Sequence, residues 1–250
     1  VHDGGAEAQR GSGLTQCTDP AFIFRSLASV PLWWNLMTRL QLAQAMFDLR
    51  GAPADAVPGA VETAATIDSA LHPGQIAFLT GPSGAGKSTI LRHLRGQLRA
   101  RGHAAITVDP ARLTETTQVI DLWPTPLVTT LSLLACCGLA DAAILKRRVQ
   151  ELSTGQRWRL ALAHALYRSR RRGPHATLLI DEFGSMLDQV TARCLCRTLR
   201  RWVEPRPIRA VCASHDDSLL ESLAPAVLIV QPLNAAAIVR IGPSASGCSA

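Results

Sequence analysis

The stretch Gly81-Pro82-Ser83-Gly84-Ala85-Gly86-Lys87-Ser88-Thr89 constrains this chain more than any other. It has the form G-x-x-x-x-G-K-[ST], a loop that cradles phosphate groups. Its glycines let successive backbone N–H groups turn into one concavity that suits an anion. The apolar run Ile76-Ala77-Phe78-Leu79-Thr80 before the loop reads as a strand. Residues 88–101 after it read as a helix, whose N-terminal end adds positive potential. In that setting Lys87 would reach the β- and γ-phosphates of ATP, and the Ser88 hydroxyl would bind Mg²⁺. The plainer alternative is a glycine-rich turn between a strand and a helix.

A second segment fits the same chemistry. Thr177-Leu178-Leu179-Ile180 is a strand that ends in Asp181-Glu182. In phosphate-loop proteins an acid at the end of a neighbouring buried strand holds the Mg²⁺ shell, which is the role read for Asp181. Glu182 would face the γ-phosphate and act on a water as general base or orienter. Further back, Ser153 is a good N-cap for a helix over 154–170. The free N–H groups at that helix start can hold an anion. Local physics alone favours a plain capped helix there.

The length of 250 residues allows one domain, or one domain with an arm, and a substantial core. No apolar run reaches membrane-spanning length, and the N-terminus lacks the pattern of a secretory signal. The seven cysteines form no C-x-x-C pair, so neither a zinc framework nor a disulfide scaffold is indicated and a reducing, cytoplasmic setting is read. Net charge is +7, and only Lys87 and Lys146 of the 26 basic residues are lysines. The Arg168-Ser169-Arg170-Arg171-Arg172 run and the helix carrying Arg193, Arg197, Arg200 and Arg201 are basic patches. They read as solvated faces before they read as nucleic-acid or membrane surfaces, because no aromatic residues interleave.

Residues 1–19 read as disordered, 20–59 as a helical arm and linker, and 60–245 as an α/β domain with a mixed sheet. Strands are expected at 76–80, 104–109, 177–182, 208–214, 226–231 and 236–241, the last two as a hairpin. Helices are expected at 88–101, 127–137, 139–149, 154–170, 188–203 and 216–223. The cysteine pairs Cys136-Cys137 and Cys194-x-Cys196 read as small core residues on helices.

Leu152-Ser153-Thr154-Gly155-Gln156 resembles the L-S-G-G-Q signature of ATP-binding-cassette (ABC) ATPases, within the P-loop NTPase superfamily. Ser185-Met186-Leu187-Asp188 is similar to that family's D-loop, and Ala213-Ser214-His215-Asp216 resembles its switch-histidine segment. With the phosphate loop and Asp181-Glu182, the elements stand in the family's order over residues 74–216. The resemblance implies an ABC-type ATPase domain with a reduced helical subdomain and an N-terminal helical arm. It implies ATP and Mg²⁺ as cofactors, and two copies packed head to tail. Ser153, Gly155 and Gln156 of one copy would cap the γ-phosphate held by Lys87 and Ser88 of the other, with Asp188 tying the sites together and His215 touching the γ-phosphate. The segments 181–188, 191–193 and 214–217 look most like a group of orphan ABC-type ATPases, some fused to a predicted acetyltransferase domain.

The chain also departs from the pattern. Thr154 replaces the first signature glycine. Gln118-Val119-Ile120-Asp121-Leu122-Trp123-Pro124 resembles the Q-x-x-x-L-F-P run of importer ATPases, so Gln118 is a candidate Mg²⁺ ligand. Only 34 residues, 119–152, separate Gln118 from Ser153, which favours a soluble, non-transport role. The alternatives are the nucleotide-binding subunit of a membrane transporter partnered by a permease, and a nucleic-acid-linked ATPase or a scaffold that binds ATP without turnover. Phe47, then Trp33 or Trp34, are the candidates for stacking on adenine.

Overall fold

The computed structural model describes residues 57–173 and 175–242. The expected disorder over 1–19, nearly all of the arm over 20–59, and Phe47, Trp33 and Trp34 lie outside these residues. The elements run α1 (Ala60–Ala70), β1 (Ile76–Thr80), α2 (Lys87–Ala100), β2 (Ala105–Thr107), α3 (Leu127–Cys136), α4 (Ala142–Leu145), α5 (Thr154–Arg171), β3 (Thr177–Ile180), α6 (Gln189–Val203), β4 (Arg209–Ala213), α7 (Leu220–Leu223), β5 (Val227–Val230) and β6 (Ile238–Ile241). The sheet order is β2-β3-β4-β1-β5-β6. Five strands are parallel and β6 closes one edge antiparallel to β5, the hairpin expected from the sequence.

Parallel strands are covered on both faces, which is why they read as unbroken apolar runs. Along β1, Ala77 and Leu79 face one apolar cluster with Leu179, Val211, Val227 and Ile229. Ile76 and Phe78 face the other, with Leu178, Ile180, Ala210 and Cys212. The first cluster is closed by Ala64 and Ile67 of α1 and by Ile90, Leu94 and Leu98 of α2. The second is closed by α3, α5 and α6, through side chains such as Leu134, Leu162, Leu166 and Leu199. Cys137, Cys196 and Cys212 are buried, whereas Cys194 is exposed and Cys136 half-buried. Burial pushes the Cys196 thiol up to about 12 and holds Cys212 well above its usual range, so both behave as small apolar residues.

Two helices differ from expectation. The helix expected at 139–149 is only the turn α4, capped by Asp141. The backbone then turns away to pair with 117–119: Val119 N–H donates to Arg147 O and Val149 N–H to Thr117 O. The sequence reading also omitted α1. Its buried stripe, Ala60, Thr63, Ala64, Ile67 and Asp68, has helical spacing but mostly small or polar side chains.

Asp68 sits in that stripe because it is paired. Its carboxylate meets Arg209 at 2.9 Å and also Arg101, and its own side chain is only 3 % exposed. Arg209 further donates to the Asp68 and Leu71 carbonyls at 3.1 and 3.2 Å and to Thr177 Oγ1 at 3.1 Å. One guanidinium thus clamps α1 to the amino ends of β3 and β4, opposite the phosphate-loop end of the sheet. Asp68→Ala leaves Arg209 buried without its counter-charge and is expected to lower stability by about 3–5 kcal/mol. Urea unfolding of the variant measures this, and a shift below about 1 kcal/mol would show that the clamp is not needed.

Candidate nucleotide site at the carboxyl ends of the strands

The strand order places a crevice beside β1. The chain leaving β1 travels through α2 to the β2 edge, while the chain leaving β4 travels through α7 to β5 on the other side of β1. Ligands of open α/β sheets settle outside the strand carboxyl ends at such a divergence. The register brings three loops level there. Leu79 is opposite Ala213 and Ile180 is opposite Cys212, so Gly81, Asp181 and Ser214 leave adjoining strands side by side.

The loop after β1 is held open by glycine. Gly81 has φ 145°, and a Cβ there would lie 2.1 Å from the Gln231 carbonyl oxygen. Gly86 has φ 93° at the N-cap of α2, where a Cβ would meet the Val57 side chain. Gly84, at φ 78°, faces open space. Lys87 reaches back over the loop, and its Nζ donates to the Gly81 and Pro82 carbonyls at 2.6 and 2.8 Å. Burial lowers the Lys87 pKa, opposed by the fields of Asp181, Asp217 and Glu182.

The loop opens into a cleft of about 680 Å³. From the loop and α2 it is lined by Ser83, Gly84, Gly86, Lys87, Ser88 and Thr89. From the facing wall come Asp181, Glu182, Ser185, Ser214 and His215. Met186, from the segment similar to the D-loop, and Val57, which the sequence did not single out, complete the lining. The structure therefore gathers Lys87, Ser88, Asp181, Glu182 and His215 around one space. Glu182 has φ 49°, a left-handed conformation that aims the chain out of β3. Phe183 is fully buried behind it, edge-on to Trp158 with ring centroids 5.6 Å apart.

Ser214 is the joint between these walls. Its N–H donates to Leu79 O at 3.0 Å, and its hydroxyl donates to Phe183 O at 2.8 Å and accepts from Asp216 N–H at 3.1 Å. Phe183 N–H donates to Ala213 O at 2.8 Å, and the Thr80 hydroxyl donates to Asp217. Asp216 caps the next turn through Ser218, whose hydroxyl and N–H hold its carboxyl below the usual range.

Ser153, Gly155 and Gln156 do not line this cleft. Ser153 caps α5 and is exposed, in a reciprocal capping box: its Oγ accepts from Gln156 N–H at 3.3 Å and Gln156 Oε1 accepts from Ser153 N–H at 3.1 Å. Gly155 packs on the 185–188 segment, where a Cβ would lie 3.1 Å from Met186 O. Asp188 caps α6, and Thr191 holds its carboxyl below the usual range. Gln118 is exposed and lies outside the cleft, its backbone bridged antiparallel to Arg148. A smaller cleft of about 300 Å³ lies on the other side of the acids, where Val108 and Pro110 from the end of β2 meet Thr154 and Trp158 of α5 beside Asp181 and Glu182. The segment from β2 thus reaches the acids, and the sequence signal for it was the strand expected at 104–109.

Known proteins are similar to this chain. The family described as ABC transporter matches residues 65–128. The aliphatic sulfonates import ATP-binding protein of Delftia acidovorans is 34% identical over 178 residues, covering 64% of this chain and 70% of that protein. The phosphonates import ATP-binding protein of Hyphomonas neptunium is 26% identical over 212 residues, covering 69% and 79%. Among solved structures, a dimeric ATP-binding cassette in a post-hydrolysis state bound to ADP and Pi superposes with TM-score 0.53 at 17% identity, covering 70% of this chain and 88% of that one. That likeness is one of fold.

Removing the Ser214 hydroxyl strands the Phe183 carbonyl and the Asp216 N–H at a site only 1% exposed. Ser214→Ala is expected to cost about 1–3 kcal/mol of stability, read from the urea midpoint.

Proposed function

Because this chain belongs to the ABC transporter family of ATP-binding proteins, we propose that it is the nucleotide-binding subunit of an ABC importer, hydrolysing MgATP as a head-to-tail pair of copies. What carries the reading is the cleft: Lys87, Ser88, Asp181, Glu182 and His215 share it, while Ser153 stands exposed outside it and available to a second copy. The importer role rests on the sulfonate and phosphonate import proteins, which are similar over most of their own length. It takes precedence over the soluble role that the short 119–152 segment favours.

The chemistry follows from the residues. ATP phosphates entering the loop replace the Gly81 and Pro82 carbonyls around Lys87 Nζ and accept from backbone N–H groups at the start of α2. Ser88 Oγ and the Asp181 carboxylate are hard oxygen donors on facing walls of the cleft and suit Mg²⁺, which takes one or two protein oxygens beside phosphate oxygens and water. Held there, the ion would supply charge neutralisation to the phosphate oxygens. Glu182 orients a water in line with the γ-phosphorus and accepts its proton, and His215 donates to the γ-phosphate. Ser153 and the free N–H groups of the partner copy's α5 start close the site over the γ-phosphate. None of the described helices is long and apolar enough to cross a membrane; the permease partner is read from the import relatives.

Glu182→Gln keeps the shape and removes the proton acceptor. It is expected to lower hydrolysis by about 10²–10⁴-fold while retaining ATP in a stable dimer on gel filtration. A monomer that still holds ATP would overturn the paired site. Lys87→Ala is expected to lose nucleotide binding. Co-purification with a multi-span membrane protein supports the importer reading, and full turnover with no such partner supports the soluble one.

A further inference from the structure

The basic run at the end of α5 does not stand alone in the fold. Tyr167, Arg168, Arg171 and Arg172 line a groove of about 450 Å³. Arg95 and Arg99 of α2 and Arg112 of the turn after β2 lie within the electrostatic reach of Arg168. Arginines of three elements separated in sequence thus lie near enough for their fields to act on Arg168 beside the groove. The acid at this place, Asp109, is engaged by Arg112 at 3.1 Å. Among the described residues no carboxylate pairs with Arg95, Arg99, Arg168 or Arg172. Arg95 Nε is out of solvent with no acceptor.

This crowding is unfavourable in the protein alone. Burial lowers the Arg168 pKa, and the fields of Arg112, Arg172, Arg95 and Arg99 lower it further. Helix-end charge complementarity accounts for basic residues in the last turn of α5. It does not account for Arg95 in the body of α2 or for Arg112 outside any α-helix. The other basic patch differs, since Arg200 pairs with Glu204 at 3.1 Å and Glu221 lines the space beside Arg193 and Arg197.

We propose that the groove at the end of α5, lined by Tyr167, Arg168, Arg171 and Arg172, is a binding site for a compact anion carrying several phosphate groups. Guanidinium forks match phosphate oxygens two at a time. The charge balance sets the class of ligand. Arg95, Arg99, Arg112, Arg168, Arg171 and Arg172 against Asp109 leave five uncompensated positive charges. At about −1.5 to −2 per phosphate group, roughly three phosphates neutralise them, and a single carboxylate or sulfonate does not. A single nucleic-acid strand would call for exposed aromatic faces. The aromatic residue here, Tyr167, is buried and its hydroxyl accepts from Arg171 at 2.9 Å. A membrane surface would be expected to meet apolar side chains beside the arginines, and none of the large exposed apolar side chains among the described residues lines the groove.

The test is titration calorimetry with inorganic tripolyphosphate, on the full chain at about 0.15 M salt, where non-specific charge effects are screened. It is done in the Lys87→Ala background, which disables the phosphate loop. The expected result is saturable binding near one per chain. Adding Arg168→Ser and Arg172→Ser should weaken it by at least about tenfold, and sulfate should bind at least about tenfold more weakly than tripolyphosphate. Absent saturable binding, or binding indifferent to Arg168→Ser and Arg172→Ser, overturns the proposal. Unchanged thermal melting verifies that the double variant folds, and the single variant Arg95→Gln, expected to weaken binding in the same direction, gives a second reading if it does not. Arg168-dependent binding to phosphatidylglycerol vesicles or to duplex DNA without binding of tripolyphosphate also overturns it, in favour of those surfaces.

Discussion

The hydroxyl of Ser214 holds together the parts on which the site depends. A parallel sheet aligns strand ends but leaves the loops beyond them free to diverge. Ser214 continues the ladder from β4 to β1 through its N–H and reaches across to the Phe183 carbonyl through its side chain. The turn bearing Asp181 and Glu182 is thereby fixed against the strand that feeds Lys87. Thr80 repeats the device one strand over by donating to Asp217. Opposing charges in a water-accessible cleft attract only weakly. Their positions are set by these neutral hydrogen bonds and by Phe183 packed on Trp158.

The two ends of α5 carry opposite tasks. At its start, small residues and a capping box present backbone N–H groups to solvent. At its end, arginines line a groove within the electrostatic reach of those of α2 and the 110–112 turn. Asp181 and Glu182 serve the nucleotide cleft, and Asp68 serves the clamp with Arg209. Near the β2 edge, among the described residues, Asp109 is the carboxylate that pairs with one of these arginines, Arg112.

Much was legible in the sequence because its signals are local. The phosphate loop needs glycines at positive φ, and Gly81, Gly84 and Gly86 supply them in order. Strands covered on both faces announce themselves as apolar runs, and all six expected strands are found within two residues of their bounds at most positions. Helix α1 was illegible because Ala64 and Thr63 carry little apolar signal, and because Asp68 interrupts the stripe until Arg209, some 140 residues away, neutralises it. The helix expected over 139–149 failed for a related reason, since pairing with 117–119 overrides local propensity. Gln118 followed a short motif match, and that same pairing holds it outside the cleft.

The sequence by itself determined the phosphate loop, the acid pair at the end of β3 and the capped start of α5, because each is a few adjacent residues whose backbone conformation and chemistry are fixed by near neighbours. Only the tertiary structure decided that Lys87, Ser88, Asp181, Glu182 and His215 share one cleft while Ser153 faces outward, and that the arginines ending α5 line a groove within the electrostatic reach of Arg95, Arg99 and Arg112. Strand order and register bring such residues together, and these arise from burying both faces of the sheet at once.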